Sequence, residues 1–324
     1  MSKKVLVTGG GGYIGSTLVR HLLTKGYQVR VLDNCSMGTD GIMSFLGYPS
    51  YSFLKGDIRD IEAIKDAMID VELVVHLAAI VGEPACRKFE DDARTINVDG
   101  TMNVFNEAVK NKIKRFIFFS TCSSYGVQDT NIMANEETEL NPVSLYAETK
   151  IQMEEYIKKN IPDDMSYTVM RPSTVHGPSP RMRFDLIVNH LVKDAVIHKK
   201  LEIFGGNLWR PLMWVGEAGR AVEKALSAKK DIIHNQVFNL GNTENNVKKK
   251  EIAEIIKNQF MPELEIKYQD EDEDLRSYRV DFSKIERNLD FKLQKPLDKS
   301  IEELLYLCSN SLISDFESIK YRNH

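Results

Sequence analysis

Tyr146 and Lys150, one helical turn apart, are the side chains of this sequence best suited to moving a proton. The stretch Tyr146-Ala147-Glu148-Thr149-Lys150 opens a helical pattern, which places both on one face. A free phenol titrates near about 10 and is a poor base at neutral pH, but a neighbouring ammonium favours the phenolate. Many helices carry such a pair by chance, so its meaning depends on what surrounds it. A hydroxyl-rich segment, Ser120-Thr121-Cys122-Ser123-Ser124-Tyr125-Gly126, closes the fifth apolar run. There Thr121 can bridge a substrate oxygen and Tyr146; the alternative is that these small polar residues only terminate a strand.

The context is a phosphate-binding turn near the N-terminus. The apolar run Val5–Val7 leads into Thr8-Gly9-Gly10-Gly11-Gly12-Tyr13-Ile14-Gly15 and then into a helical pattern. Gly9, Gly12 and Gly15 form GxxGxxG, which lets the backbone turn tightly and approach a pyrophosphate at a helix N-terminus. Asp33 ends the next run, about 20 residues further on, where a carboxylate accepts hydrogen bonds from a ribose diol. The following Asn34-Cys35-Ser36 contains no Arg or Lys for a 2′-phosphate, which favours NAD over NADP. Asp57-Ile58 follows a third run and can face the adenine. His76-Leu77-Ala78-Ala79 ends a fourth with small residues, as close approach to a ligand requires. His76 itself reads as a satisfied histidine at a strand end.

These residues need a scaffold, and the apolar pattern supplies one. Lys4–Thr8, Gln28–Asp33, Tyr51–Leu54, Leu73–Ala79, Arg115–Thr121 and Tyr167–Arg171 read as strands, most of them continuously apolar, as in a parallel sheet buried on both faces. Helical patterns at Tyr13–Lys25, Ile61–Met68, Asn97–Asn111 and Tyr146–Lys159 alternate with them. The expected fold is α/β, a Rossmann-type doubly wound parallel sheet with a smaller C-terminal substrate-binding lobe. Residues 1–172, with about 210–241, are assigned to the sheet domain; 173–209 and 242–324 are assigned to the lobe. In the second half, Asp185–Lys199 and Ile301–Leu307 read as helices, Val237–Leu240 as a further strand and Asp270–Asp274 as a solvated acidic loop.

A net charge of −4 over 324 residues gives no bulk attraction to phosphate polymers, which argues against nucleic acid as a partner. Cys35, Cys86, Cys122 and Cys308 are widely spaced without a CxxC pair, which suits reduced thiols and neither a disulfide frame nor a metal site. No stretch approaches a membrane span or a signal sequence, so a cytoplasmic protein is expected.

Taken together, TGGGGYIG, VLDN, GDIRD, HLAAIVGE, Asn97 with Gly100-Thr101, STCSSYG, YAETK, RPSTVHGP and Arg210-Pro211-Leu212-Met213-Trp214-Val215 resemble the extended short-chain dehydrogenase/reductases, in particular the NAD-dependent sugar epimerase/dehydratase group. The resemblance runs through nearly the whole chain. It implies NAD held by Gly9, Gly12, Tyr13, Ile14, Gly15, Asp33, Asn34, Asp57, Ile58, Leu77, Ala78, Ala79, Asn97 and Ser120 together with Tyr146 and Lys150. It further implies a nucleotide-diphosphate sugar as substrate, a catalytic trio of Thr121, Tyr146 and Lys150, and a homodimer paired through the helices near Asn97–Asn111 and Tyr146–Lys159. In the implied mechanism Tyr146 removes a sugar hydroxyl proton while NAD takes the carbon-bound hydride. A non-catalytic, NAD-sensing relative is the reading from another class; such proteins are expected to lose the Tyr or Lys, and both are present.

Departures from the family pattern narrow the reaction. The 4,6-dehydratases carry Asp-Glu after the catalytic Thr, where this chain has Cys122 and Ser123; related decarboxylases place Glu at the position of Ser123. The 3,5-epimerising relatives use a Cys two residues before the tyrosine, whereas Cys122 is three before Tyr125 and reads as packing. What remains is oxidation at a ring carbon, expected to be C4, leading to 4-epimerisation or, as with enzymes acting on nucleotide-linked heptoses, release of the 4-ketosugar. Val81-Gly82-Glu83 resembles the epimerase loop beside the sugar, while Pro180-Arg181-Met182-Arg183-Phe184 does not match the common galactose epimerases, so an unusual sugar is implied. Arg210 matches the diphosphate-binding arginine, Phe204 is placed against the base, and Thr174 and His176 replace the usual Asn and Tyr. Arg276 or Arg279 substitutes for a second phosphate arginine, with a surface ion pair as the alternative for each arginine.

Overall fold

The computed structural model describes residues 3–269, 276–310 and 312–323; the acidic run Asp270–Asp274 lies outside the described residues. Seven strands form one sheet: β1 (Lys4–Thr8), β2 (Gln28–Asp33), β3 (Tyr51–Lys55), β4 (Leu73–His76), β5 (Arg115–Phe119), β6 (Ser166–Pro172) and β7 (Gln236–Leu240). Every neighbouring pair is parallel and the order is β7-β6-β5-β4-β1-β2-β3. This is the Rossmann arrangement expected from the alternating pattern. The chain leaves β1 toward β2 and β3, then returns to the other side at β4, so a crevice opens above the carboxyl ends of β1 and β4.

Burial on both faces explains the continuous apolar runs. Val5 and Val7 face one layer with the helix α1 (Tyr13–Thr24), while Leu6 faces the other with α2 (Ile61–Met68), α3 (Thr101–Lys110) and α4 (Leu145–Asn160). Two expected strands end early, at His76 and Phe119. Beyond the first, the Ala78 N–H turns to Thr8 Oγ1 at 3.4 Å. Beyond the second, the Thr121 side chain caps a short 3₁₀ turn, Cys122–Tyr125. The expected helix at Asn97–Asn111 is a π-helical turn, Thr95–Gly100, running into α3.

The remaining strands form smaller sheets. A three-stranded sheet joins Thr174–His176, Trp209–Trp214 and Asn246–Lys248, and Lys200–Phe204 pairs with Glu265–Gln269. Helix α5 (Ile187–His198) packs there against α7 (Leu297–Ser309), and α6 (Glu217–Ser227) lies along α1. A Cβ on Gly219 of α6 would come within 2.7 Å of the His21 Cβ, so the two helices approach as only glycine permits. No helix among the described residues is long and apolar enough to cross a membrane.

Beneath the crevice a buried polar network ties α4 to the sheet. Arg171 donates from Nε and Nη2 to the two Glu154 oxygens at 3.0 and 2.6 Å, and from Nη1 to the Tyr125 hydroxyl at 3.1 Å. Tyr125 in turn donates to Asn239 Oδ1 at 2.8 Å. Removing one member strands a charge out of water, which costs more than the pair contributes. Arg171→Met is expected to lower the unfolding free energy by about 3–5 kcal/mol, read from the urea midpoint; an unchanged midpoint would remove the network from the stability of the fold.

Candidate active site

The glycine turn meets the end of β4 without space for side chains. Gly9 has φ +72°, and a Cβ there would lie 2.7 Å from the Ala78 nitrogen. At Gly15 a Cβ would lie 2.2 Å from the Gly9 carbonyl oxygen, so the first turn of α1 closes directly on the loop. Gly12 caps α1 without any side-chain hydrogen bond, which leaves the first helical N–H groups facing the crevice. Asp33 is steered there by the backbone: its Oδ2 accepts from Gly11 N at 2.9 Å and its Oδ1 from Cys35 N at 2.8 Å. Asn34 donates to Asp57 at 3.1 Å, and Arg59 holds the Asp57 carboxyl down at about 2. This cradle, carboxylate and open helix end fit an adenine dinucleotide, with the pyrophosphate at α1 and the ribose diol at Asp33.

One cleft of about 590 Å³ runs through this region. It is lined by Gly9, Gly12, Tyr13, Ile14, Gly15, Asp33, Asn34, Asp57, Ile58, Leu77, Ala78 and Ala79, and by Ser120, Thr121, Tyr146 and Lys150. Asn97 stands behind it. The π-turn aims its side chain at Ile80, accepting from the Ile80 N–H at 2.8 Å and donating to the Ile80 carbonyl at 3.0 Å. It therefore holds the loop after β4 in place and does not line the cleft. His76 is the satisfied histidine its position suggested, hydrogen-bonded to Thr8 at 2.7 Å and Thr101 at 2.9 Å, with burial pushing its pKa down to about 3.

Tyr146 and Lys150 lie in the first turns of α4, where Ser144 Oγ accepts from Ala147 N at 3.2 Å and anchors the helix start. Both are buried, as is Thr121 at the end of β5. Burial pushes the Tyr146 phenol well above its usual value, a shift reinforced by the neighbouring Cys86 thiol. Arg183 and Arg276 are charges that pull it back. Lys150 stands over the ring faces of Phe118 and Tyr146, at 4.9 and 5.9 Å, and burial pushes its own pKa down to about 8.

Of the residues expected on the substrate side, Val81, Glu83, Ser123, Thr174, Arg181, Arg183, Arg210 and Arg276 line the same cleft. Three do not. Cys122 is fully buried below it, its thiol donating to the Arg171 carbonyl at 3.0 Å, because the 3₁₀ turn sends it into the core. Arg279 lies over the Trp209 ring at 4.9 Å and reaches the Thr130 carbonyl, since the short strand Arg279–Val280 directs it away. Phe204 is 49% exposed and lines an adjoining cavity of about 490 Å³, which meets the main cleft at Ile187, His190 and Lys249. His190, Lys249, Tyr278 and Asn323 join the lining from distant parts of the chain, and only Tyr278, between the two candidate arginines, had a sequence signal.

Among known proteins, residues 5–241 match the model of the NAD dependent epimerase/dehydratase family. A putative UDP-glucose 4-epimerase of Methanocaldococcus jannaschii is 30% identical over 79% of this chain and 82% of its own length. The structure of a UDP-glucose 4-epimerase from Thermotoga maritima with UDP-glucose superposes with TM-score 0.85 at 25% identity, covering 96% of this chain and 100% of that one. A UDP-glucuronic acid 4-epimerase from Bacillus cereus, in complex with UDP-glucuronic acid and NAD, gives TM-score 0.83 at 26% identity, over 96% and 100%. With the glycine cradle, Asp33 and the Tyr146–Lys150 pair on one crevice, the chain belongs to the NAD-dependent epimerase/dehydratase family and is an enzyme whose cofactor is NAD.

Proposed function

We propose that the protein is a nucleotide-sugar 4-epimerase, oxidising a ring carbon and returning the hydride to the other face of the 4-ketosugar. The observation that carries this reading is the single cleft that joins the glycine cradle to Thr121, Tyr146 and Lys150 and then continues between Val81, Arg183 and Arg210. NAD supplies the hydride acceptor and, later, the hydride. Tyr146 takes the hydroxyl proton and gives it back, and Thr121 orients the sugar oxygen between its own hydroxyl and the phenol. Arg183 and Arg276 oppose the desolvation that would keep the phenol protonated. Arg210 and Arg276 supply guanidinium groups for a diphosphate. Pairing of two copies through α3 and α4 belongs to the same reading.

Ser123 is the residue that follows Cys122 at the cleft wall, and neither supplies the carboxylic acid and carboxylate that 4,6-dehydration uses beside the catalytic threonine. The second reading is a 4-dehydrogenase that releases the ketosugar, and the product decides between them. In a panel of UDP-, GDP-, dTDP- and ADP-linked hexoses and heptoses with NAD, a new stereoisomer without NADH build-up is expected. Accumulating NADH with a released ketosugar would replace the epimerase with the dehydrogenase.

Two variants test the trio. Tyr146→Phe is expected to reduce turnover by about 10²–10⁴-fold while NAD remains bound, as read by parallel turnover and calorimetric titrations; full activity would refute the proton-transfer role. Lys150 carries its charge at a cost, because its folded pKa of about 8 lies below the solvent value of about 10.4. That cost is complete below pH about 8. It fades between about 8 and 10.4, where the unfolded chain keeps the proton and the folded chain does not. In NAD-free protein, Lys150→Met is therefore expected to raise the melting temperature by about 2–4 °C at pH 7, with the gain closing toward pH 10.4. A melting temperature lowered at pH 7, or a pH-independent gain, would contradict the desolvation of Lys150.

A further inference from the structure

Segment 312–323 runs along α5 to the wall of the cleft, and contacts of three kinds fasten it. Phe316 and Tyr321 meet the buried ring of Phe184 edge-on, with centroids 5.4 and 5.6 Å away. The Phe184 N–H donates to the Tyr321 carbonyl at 2.9 Å. On α5 the buried Lys193 donates to Glu317 at 2.6 Å, and this ammonium, with Arg322, holds the Glu317 carboxyl below its ordinary range. Arg181, whose charge Asp185 faces, closes the clamp by donating from Nη2 to the Arg322 carbonyl at 3.0 Å.

These contacts deliver Asn323 to the cleft, where it is 8% exposed and shares the wall with Val81, Arg183 and Asp185. Its backbone N–H donates to Asp185 Oδ2 at 3.3 Å, and its side chain donates from Nδ2 to the Val81 carbonyl at 3.4 Å. The second contact orients the carboxamide. With Nδ2 turned to the wall, Oδ1 is left as an acceptor that receives no hydrogen bond among the described residues. Val81 packs on the cluster containing Tyr146, and Arg183 acts on the Tyr146 phenol. Asn323 therefore belongs to the end of the cleft where the reacting groups lie, whereas the passage to the second cavity is marked by Ile187, His190 and Lys249.

We propose that segment 312–323 forms a wall of the sugar subsite and that Asn323 Oδ1 accepts a hydrogen bond from a sugar hydroxyl. The inference rests on the nucleotide-sugar reading above. The hydroxyl that is oxidised gives its proton to Tyr146, so the one that reaches Asn323 is another. A neutral carbonyl oxygen suits a hydroxyl donor, and a sugar lacking that hydroxyl leaves the acceptor without a partner once water is excluded. Asn323 is thus a specificity residue, positioned by the Phe184 cluster, Lys193 and Arg181, which hold the segment through contacts of their own.

The test is calorimetric titration of the NAD-loaded enzyme with UDP-glucose and GDP-mannose, their 2-, 3- and 6-deoxy counterparts, and bare UDP and GDP. In the nucleotide series that binds, one deoxy sugar is expected to bind about 3–10-fold more weakly than its parent, the loss of one neutral hydrogen bond. Asn323→Ala is expected to weaken the parent sugar by a similar factor and to erase the penalty for that deoxy sugar, with bare nucleotide bound as before. Equal binding of the parent and every deoxy sugar by the unmodified enzyme, a readout that needs no variant, overturns the inference. So does a deoxy penalty that persists in Asn323→Ala, or an Asn323→Ala protein that loses bare nucleotide as severely as the sugar. Failure of every sugar and nucleotide to bind removes the nucleotide-sugar reading and this inference with it, a result distinct from nucleotide binding without a deoxy penalty.

Discussion

The close approach of Gly9 to Ala78 is the contact on which the crevice depends. With 2.7 Å between the Ala78 nitrogen and the place a Cβ would occupy, any side chain at Gly9 would push β1 and β4 apart where the strand order reverses. Gly15 repeats the constraint one turn into α1. The result is a loop of bare backbone against a helix N-terminus, with Asp33 drawn in by the Gly11 N–H. The smaller elements are fastened to the same turn. The Tyr13 hydroxyl donates to the Gly177 carbonyl at 2.6 Å, and Ser179 donates to the Tyr13 carbonyl at 2.8 Å. The cofactor turn and the opposite wall of the cleft are thus one connected structure.

Burial sets the chemistry as firmly as it sets the fold. Tyr146 and Lys150 are both removed from water, and desolvation drives each toward its neutral form. A helix repeat alone suggests that the lysine activates the tyrosine. In the folded chain Arg183 and Arg276, which arrive from beyond β6, also oppose the desolvation of the phenol. The Arg171–Glu154 pair has the opposite character: it is compensated on every side, shares its hydrogen bonds with Tyr125, and holds α4 against the sheet at the level of the reacting groups.

Much of the cofactor half was legible because its signals are local. A glycine needed by a tight turn, an acidic residue at a strand end and a period-matched helix each follow from a few neighbouring residues. The misreadings came where local geometry redirects a side chain. Cys122 follows Thr121 in sequence, yet the 3₁₀ turn buries it under the cleft. Asn97 stands in a π-turn that points it at the Ile80 backbone, so it supports the site from behind. Arg279, two residues from Arg276, is carried away by a short strand to stack on Trp209.

The sequence by itself determined the parallel sheet, the glycine cradle, the strand-end Asp33 and the Tyr146–Lys150 pair, because hydrophobic period and turn chemistry act within a few residues of the chain. Tertiary structure decided that Arg183 and Arg276 act on Tyr146, and which of the candidate residues reach the cleft. Those outcomes depend on segments far apart in sequence, such as Val81, Asp185 and Asn323, meeting in space. Charge balance and desolvation are properties of that meeting, and no pattern along the chain encodes them.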